Sequence, residues 1–576
     1  MTMLTKWGAV LDRSCPLPEY PRPQLRRESF YNLNGVWDYA VTPSGEEPEV
    51  WDGEIVVPFS PEAPLSGAAR GPAKDEYLHY RRGFTLPEGF QKSRVLLHFG
   101  AVDQIAEVFV NGVSAAKHSG GYWPFSADIT SLLREGENIL RVTVRDNADD
   151  PTFAYGKQRY KRGGMWYTAQ SGIWQTVWLE SVPEVYVKSL RITPEFDEAR
   201  VRIELEISGE SAAITCDVRA ADGSFVAGSW AKGGVCVVPL PGFRAWTPDD
   251  PYLYTLDITC GEDRVESYFA MRKFSYVELG GHKVFGLNNA PLFHNGLLDQ
   301  GYYPDGLLTP PSDEAMVNDI ETMKRCGFNM LRKHIKIEPL RWYYHCDRLG
   351  MIVWQDMVSG GQPYSFLHVS ALPTLGKVDL PDQDAKPYGR SGVLSRARFR
   401  REMADTVRLL YNCPCIALWT VFNEGWGQFD ALDMANELKK LDPTRFIDHA
   451  SGWQDQGYEE MKSRHIYFRP VKLKNDGRAL ALTEYGGYIL AVDGHRWTDK
   501  VFGYRICRDS AALAHDYEKL MLGQVLPHIR KEGLTAAVYT QITDVEEELN
   551  GLMTYDREVL KIPEETLREI NKQLKF

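Results

Sequence analysis

A chain of 576 residues is too long for one hydrophobic core and predicts about three or four domains. Its composition, 43% apolar and 25% charged, is that of an ordinary globular protein and excludes disordered and fibrous classes. The formal charge of -12 argues against nucleic acid or an anionic membrane as partner, because both reward a basic face.

The chain opens with Met1-Thr2-Met3-Leu4-Thr5-Lys6-Trp7, which lacks the apolar core of a signal peptide. No stretch approaches the ~20 apolar residues of a membrane span. A cytoplasmic protein is expected unless a leader was trimmed from the sequence. Residues 1–182 read as all-β, with short alternating runs at 35–39, 95–99, 107–110 and 140–144 and turn signals such as Asn111-Gly112 between them. That pattern predicts a jelly-roll β-sandwich. Residues 183–277 form a second β stretch with strict alternation over 201–207. It is the right size, under ~100 residues, for one immunoglobulin-like sandwich.

Near residue 278 the pattern changes. Amphipathic stretches at 313–326 and 340–349 alternate with apolar runs at 328–332 and 351–354. Strand-helix alternation over 278–576 fits a (β/α)8 TIM barrel, for which ~250 residues is typical. The nine cysteines are scattered, and an odd count without metal-ligand spacing predicts buried free thiols.

Two apolar runs in the barrel region end in glutamates. Ile416-Ala417-Leu418-Trp419-Thr420-Val421-Phe422 leads into Asn423-Glu424, and Ala479-Leu480-Ala481-Leu482-Thr483 leads into Glu484. Such runs read as strands buried on both faces of a parallel sheet. Carboxylates at the C-terminal ends of such strands stand where barrel enzymes place their chemistry. A carboxylate pair flanking a glycosidic bond is the minimum machinery for hydrolysing it. The plainer reading of a lone glutamate there is a helix cap or a salt bridge.

These motifs, in this order, resemble glycoside hydrolase family 2, which holds β-galactosidases, β-glucuronidases and β-mannosidases. The resemblance is carried by Leu33-Asn34-Gly35-Val36-Trp37, Val110-Asn111-Gly112, Gln170-Ser171-Gly172-Ile173-Trp174-Gln175, Gly327-Phe328-Asn329-Met330-Leu331-Arg332, Asn423-Glu424 and Glu484-Tyr485-Gly486. It implies a sugar-binding jelly roll, an immunoglobulin-like sandwich and a catalytic barrel. It also implies retaining chemistry with Glu484 as nucleophile and Glu424 as acid/base, the carboxyl groups ~5–5.5 Å apart. Asn423 would donate to the sugar 2-OH. Arg332 aligns with an arginine that braces the nucleophile, where a cation lowers its pKa. Tyr467 either hydrogen-bonds the nucleophile or is a core tyrosine. His334 and Lys336 lie in a segment that departs from the Ser-His-Tyr pattern of the better-known β-galactosidases. Asp356 either binds a sugar hydroxyl or caps the next helix. Trp426, Trp354 and Trp174 are either stacking platforms or plain core.

The loop 156–166 resembles the jelly-roll loop that family members push into the barrel mouth. Its Lys157, Arg159, Lys161 and Arg162 replace the aspartate found in β-galactosidases with that loop. They are either a solvated face or a site for an anionic sugar, together with Lys336 and Arg505. The Asn-x-Lys motif by which β-glucuronidases read a carboxylate is absent from the sequence. The eighth strand, placed at 538–544, lacks the tryptophan usual in β-galactosidases. What remains is an exo-acting β-glycosidase for a terminal β-D-galactoside or β-D-hexuronide. An arabinopyranoside, or a non-catalytic carbohydrate-binding protein, is the alternative. The partner is then a carbohydrate or glycoconjugate, and a homo-oligomer is compatible with the sequence. No cofactor is expected. No metal is expected either, because Asn423, Glu424 and Asp356 do not make a cluster of hard oxygen ligands.

Overall fold

The structure, a computed structural model, describes residues 3–209, 213–375 and 379–576. The first β unit packs a four-stranded sheet against a six-stranded one, all antiparallel. Alternation sets the packing: along Glu137–Arg145, Asn138, Leu140, Val142 and Val144 turn inward, joining Trp37, Tyr80, Leu97 and Phe99 in one core. The turn at Asn111-Gly112 has both residues at positive φ, +51° and +82°, which a two-residue hairpin joining Ile105–Val110 to Val113–Ser119 requires.

The second unit pairs three strands with four around Val201, Ile203, Leu205 and Leu256. The N-terminal segment staples the two units together. Arg27 is buried and donates to Glu180 of the first, and to Asp263 and the Val187 carbonyl of the second.

Eight strands then form a parallel barrel: β1 His294–Asp299, β2 Met330–Lys333, β3 Ile352–Asp356, β4 Ile416–Thr420, β5 Phe446–Asp448, β6 Met461–Ile466, β7 Ala479–Gly486 and β8 Leu534–Thr540. Pairing runs in the order β5-β4-β3-β2-β1-β8-β7-β6. The β5/β6 seam has no strand pairing and is closed by a few bonds. His465 N reaches the Gly452 carbonyl at 3.4 Å, Ser463 Oγ stands 3.0 Å from both Asp448 Oδ1 and the Ala450 carbonyl and accepts from Gly452 N at 3.4 Å, and Ser451 Oγ lies 3.2 Å from His465 Nε2. The hairpin Phe274–Leu279 with His282–Leu287 straddles position 278 and plugs the barrel's N-terminal end, Phe285 stacking on Phe446 at 4.3 Å.

The first barrel helix, Asp313–Arg325, is capped by the Ser312 hydroxyl and carries Asp313 and Glu314 in its first turn, where the helix dipole favours them. Helix Val393–Leu410 leans on the jelly roll, with the Trp123 indole donating to Thr406. The eighth strand lies earlier than the expected 538–544. Its apolar run starts at Leu534, and Ile542 and Asp544 have already left for a loop bonded to the carbonyls of Leu298 and Met553. All nine cysteines are free, and only Cys15 is exposed. Among the described residues no helix is long and apolar enough to cross a membrane.

Candidate active site

The C-terminal ends of β2, β3, β4, β6 and β7 converge on one buried arginine. Arg332 is fully buried and all its donors are used. Nε and Nη2 grip Asp356 at 3.0 and 3.1 Å, and Nη1 reaches Glu484 Oε1 and the Thr483 carbonyl, each at 3.1 Å. Nη2 also donates to Asn423 Oδ1 at 2.8 Å. His334 Nδ1 stands 2.7 Å from Asp356 Oδ2. Burial alone would raise Asp356, but Arg332 and His334 outweigh it and hold the carboxyl at about 2. Asp356 therefore anchors the site's arginine and histidine, with both oxygens engaged.

The two glutamates meet in contrasting surroundings. An oxygen of each lies within 4.8 Å of an oxygen of the other, with a His465 nitrogen inside the same distance. Glu484 accepts from Arg332 through one oxygen and from the Tyr467 hydroxyl through the other. Burial and the nearby Glu484 charge push the Tyr467 phenol well up, so it stays a donor. Glu424 is raised: burial dominates, and Lys157, His334 and Arg332 pull it back without cancelling. Its backbone sits in the left-handed region at φ +55°, a conformation that costs a non-glycine residue about 1–2 kcal/mol and aims the side chain across the mouth. His465 Nδ1 is 2.8 Å from Glu424 Oε1, and burial pushes this imidazole down to about 3, leaving it neutral. Glu424, His465 and Glu484 could together hold a cation. The imidazole suits zinc better than magnesium or calcium, which favour oxygen.

The jelly-roll loop does enter the barrel mouth, held there by three consecutive glutamates after β8. Glu546 accepts from Thr168 N and pairs with Arg162 at 3.5 Å, Glu547 accepts from Gly164 N, and Glu548 accepts from the Tyr167 hydroxyl. Of the loop's cations, Arg162 is occupied by this dock and Arg159 pairs with Asp149 at 3.7 Å. Arg162 also lies over Trp497, and Arg159 over Trp166 and Tyr155. Lys157 differs. It is buried at 8% exposure, its charge is felt by Glu424, Glu548 and His334, and its ammonium, 5.6 Å from the Trp166 ring centre, has no hydrogen-bond or ion-pair partner among the described residues.

Other expected residues lie elsewhere. Lys336 is buried behind the site, its ammonium donating to the Gly301 and Leu308 carbonyls and to Glu338, so it presents no cation to the mouth. Arg505 pairs with Asp516 at 2.6 Å. Trp354 is fully buried inside the barrel beside Phe285 and His294, and Trp174 is equally buried, donating to the Gly121 carbonyl. Neither can stack on a sugar. Trp426 packs edge-on against Trp166 at 5.0 Å and braces the loop.

The sequence reading overlooked His465, Glu548 and Tyr504, whose ring stacks on Tyr467 at 3.9 Å. For His465 a signal existed: strand periodicity puts residues 465 and 467 on one face. For Glu548 and Tyr504 none did.

Three profiles of one family match the chain: "Glycosyl hydrolases family 2, sugar binding domain" over residues 64–183, "Glycosyl hydrolases family 2" over 185–272, and "Glycosyl hydrolases family 2, TIM barrel domain" over 310–473. A β-glucuronidase of Paenibacillus borealis is 23% identical over 535 residues, covering 82% of this chain and 85% of that protein. A β-galactosidase of Thermoanaerobacter pseudethanolicus is 25% identical over 387 residues, 64% of this chain and 47% of that protein, so the chain spans about half its length. Among solved structures, an uncultured Clostridium sp. β-glucuronidase superposes with TM-score 0.74 at 19% identity, covering 96% of this chain and 99% of that one. The β-galacturonidase of Eisenbergiella tayi bound to galacturonate gives 0.71 at 18% identity, covering 96% and 99%.

Proposed function

The chain belongs to glycoside hydrolase family 2, and on that footing we propose that it is a retaining exo-β-glycosidase of terminal β-D-galactosides or β-D-hexuronides. The observation that carries this reading is the pair Glu424 and Glu484, oxygens within 4.8 Å, one carboxyl raised by burial and the other fed by two donors. Such closeness suits double displacement, whereas inversion needs room for a water and ~6.5–9.5 Å. Glu484 attacks the anomeric carbon while Glu424 gives its proton to the leaving oxygen. Glu424 then takes a proton from water, which attacks the glycosyl-enzyme and frees Glu484. Arg332 fixes Asn423 by its carbonyl oxygen, leaving the amide NH2 to donate to a sugar 2-OH.

Lys157 favours the hexuronide within this reading. A desolvated carboxylate requires a cation, and this ammonium is open beside the acid/base. Glu548 favours the neutral galactoside, since a carboxyl group in the mouth beyond Glu424 and Glu484 is a partner for sugar hydroxyls.

A panel of p-nitrophenyl glycosides tests both levels. Turnover of a β-galactoside or β-hexuronide is expected; no turnover of any member would leave a carbohydrate-binding protein instead. Azide then separates the roles. It should rescue Glu484→Ala with an inverted azide product, and Glu424→Ala with a retained one on good leaving groups. The opposite stereochemistry would reverse the assignment.

A further inference from the structure

Behind the site, between the jelly roll and the first barrel helices, lies a cavity of about 230 Å³ to which the hydrolytic chemistry assigns no role. Its walls are chiefly carbon: Phe99, Phe125, Trp174, Met316, Leu340 and Leu409. Polar groups reach it at separate places: Glu19 Oε2 near Asp313 and Arg341, and Arg22 Nε and His98 Nε2 near Glu180, His98 Nε2 3.7 Å from Glu180 Oε2; all three atoms are buried without hydrogen-bond partners. His98 is 5% exposed and pushed by burial to about 3, so it is a neutral imidazole. Buried polar atoms left unpaired carry an uncompensated desolvation cost, which a suitable guest would recover.

We propose that this cavity binds a bicyclic aromatic molecule carrying one phenolic hydroxyl, and that the guest acts on the Lys157 loop. Size sets the ring system: a dry apolar cavity of ~150 Å³ accepts benzene, and this one has room for a second fused ring. Chemistry sets the hydroxyl, which donates to the unpaired Glu19 Oε2. The charges that share the lining are largely paired, Asp313 with Arg341 and Arg22 with Glu180, so the guest need carry no net charge.

The link to the mouth is Tyr122, which also lines the cavity. Its hydroxyl donates to the Tyr155 carbonyl and accepts from Gln158 Nε2, both at 3.3 Å, on either side of Lys157. At Gly156 (φ +64°) a side chain would approach the same hydroxyl to 2.8 Å. Displacement of Tyr122 by a guest therefore moves the backbone that carries the ammonium. Domain interfaces are common places for such sites. Coupling between two sites is reciprocal, so substrate analogues must alter guest affinity in turn.

The probe is 2-naphthol, titrated calorimetrically into the full chain, which needs no catalytic activity and so is independent of the proposed function. Saturable binding at one site is expected, unchanged in Glu484→Ala and weakened about tenfold or more in Leu409→Trp and in Met316→Trp, which fill the cavity from two different helices. Where a variant unfolds, hydrogen exchange on the wild type substitutes, with protection expected at residues 98–100, 122–126 and 174–176. In the wild type the guest should also change turnover non-competitively. Absence of saturable binding, binding untouched by both fillings, or purely competitive inhibition would each overturn the proposal, the last by placing the probe in the mouth. Binding with no effect on turnover would overturn the coupling to Lys157.

Discussion

Lys157 carries the sharpest question at the scale of single residues. Its ammonium lies near Glu424 and Glu548, pairs with neither and sits over the Trp166 ring, which leaves its charge available to a ligand anion. Lys157→Ala should therefore cut kcat/KM on a β-hexuronide by ~2–5 kcal/mol while leaving the matching β-galactoside within about tenfold. Equal losses on both sugars would assign Lys157 to tuning Glu424 alone and return the enzyme to the neutral-sugar reading. Arg162 and Lys336 make the contrast useful, because one is paired to Glu546 and the other to Glu338 and two carbonyls. Replacing either should not distinguish the two sugars.

Among the structural elements, the loop that bears Lys157 is only as well placed as its dock. Glu546 and Glu547 hold it by backbone amides, at 2.8 Å to Thr168 and 2.9 Å to Gly164. Glu546→Ala and Glu547→Ala combined should raise KM several-fold with kcat little changed, and the melting temperature should move by no more than a few degrees. A fall in kcat with KM constant would mean that the dock serves the chemistry and not substrate capture. What could be read from sequence follows the same division. The apolar runs before Glu424 and Glu484 needed only composition to appear as strands, and they form β4 and β7. The two sandwiches announced themselves by period-two alternation, as along Arg200–Ile207. The dock could not be seen, because Glu546 meets Thr168 across 378 positions of sequence, and no local pattern encodes that contact. Nor could the fate of Trp354, since a tryptophan within a barrel strand has the same letter whether it faces sugar or the Phe285 plug.

For the whole molecule, pH acts through carboxylates that folding treats in opposite ways. Asp356 is held at about 2, so its contribution to stability is present above the ordinary carboxylate range and is lost only in strong acid. Glu402, on the helix that leans on the jelly roll, is pushed up to about 8 by burial, with its Oε1 unpaired. A raised acid binds its proton more tightly folded than unfolded, so its contribution is lost as pH rises from about 4.5 through about 8. The protein should melt highest in mild acid and progressively lower toward alkali. Glu402→Gln should flatten that decline, matching the wild type at about pH 5 and exceeding it at about pH 9 in scanning calorimetry. Parallel curves for the two proteins would show that Glu402 is ionised and solvated in the fold.

The β5/β6 seam has a consequence for heat. Glu424 hangs from the β5 side, its amide bonded to the Ser451 carbonyl at 2.9 Å, while His465 and Glu484 belong to β6 and β7. The 2.8 Å contact between Glu424 and His465 therefore crosses the least-laced line of the barrel. Local opening along weakly bonded lines needs less free energy than global unfolding. Warming should part Glu424 from Glu484 while the sandwiches and the remaining ladder stay intact. Activity should then vanish at a lower temperature than the far-ultraviolet circular dichroism signal. Ser463→Ala, which removes the bonds to Asp448 and the Ala450 carbonyl, should widen that gap by lowering the inactivation temperature more than the melting temperature. If both temperatures fell together, the seam would be no weaker than the rest of the ring, and the glutamate pair would be lost only with the fold itself.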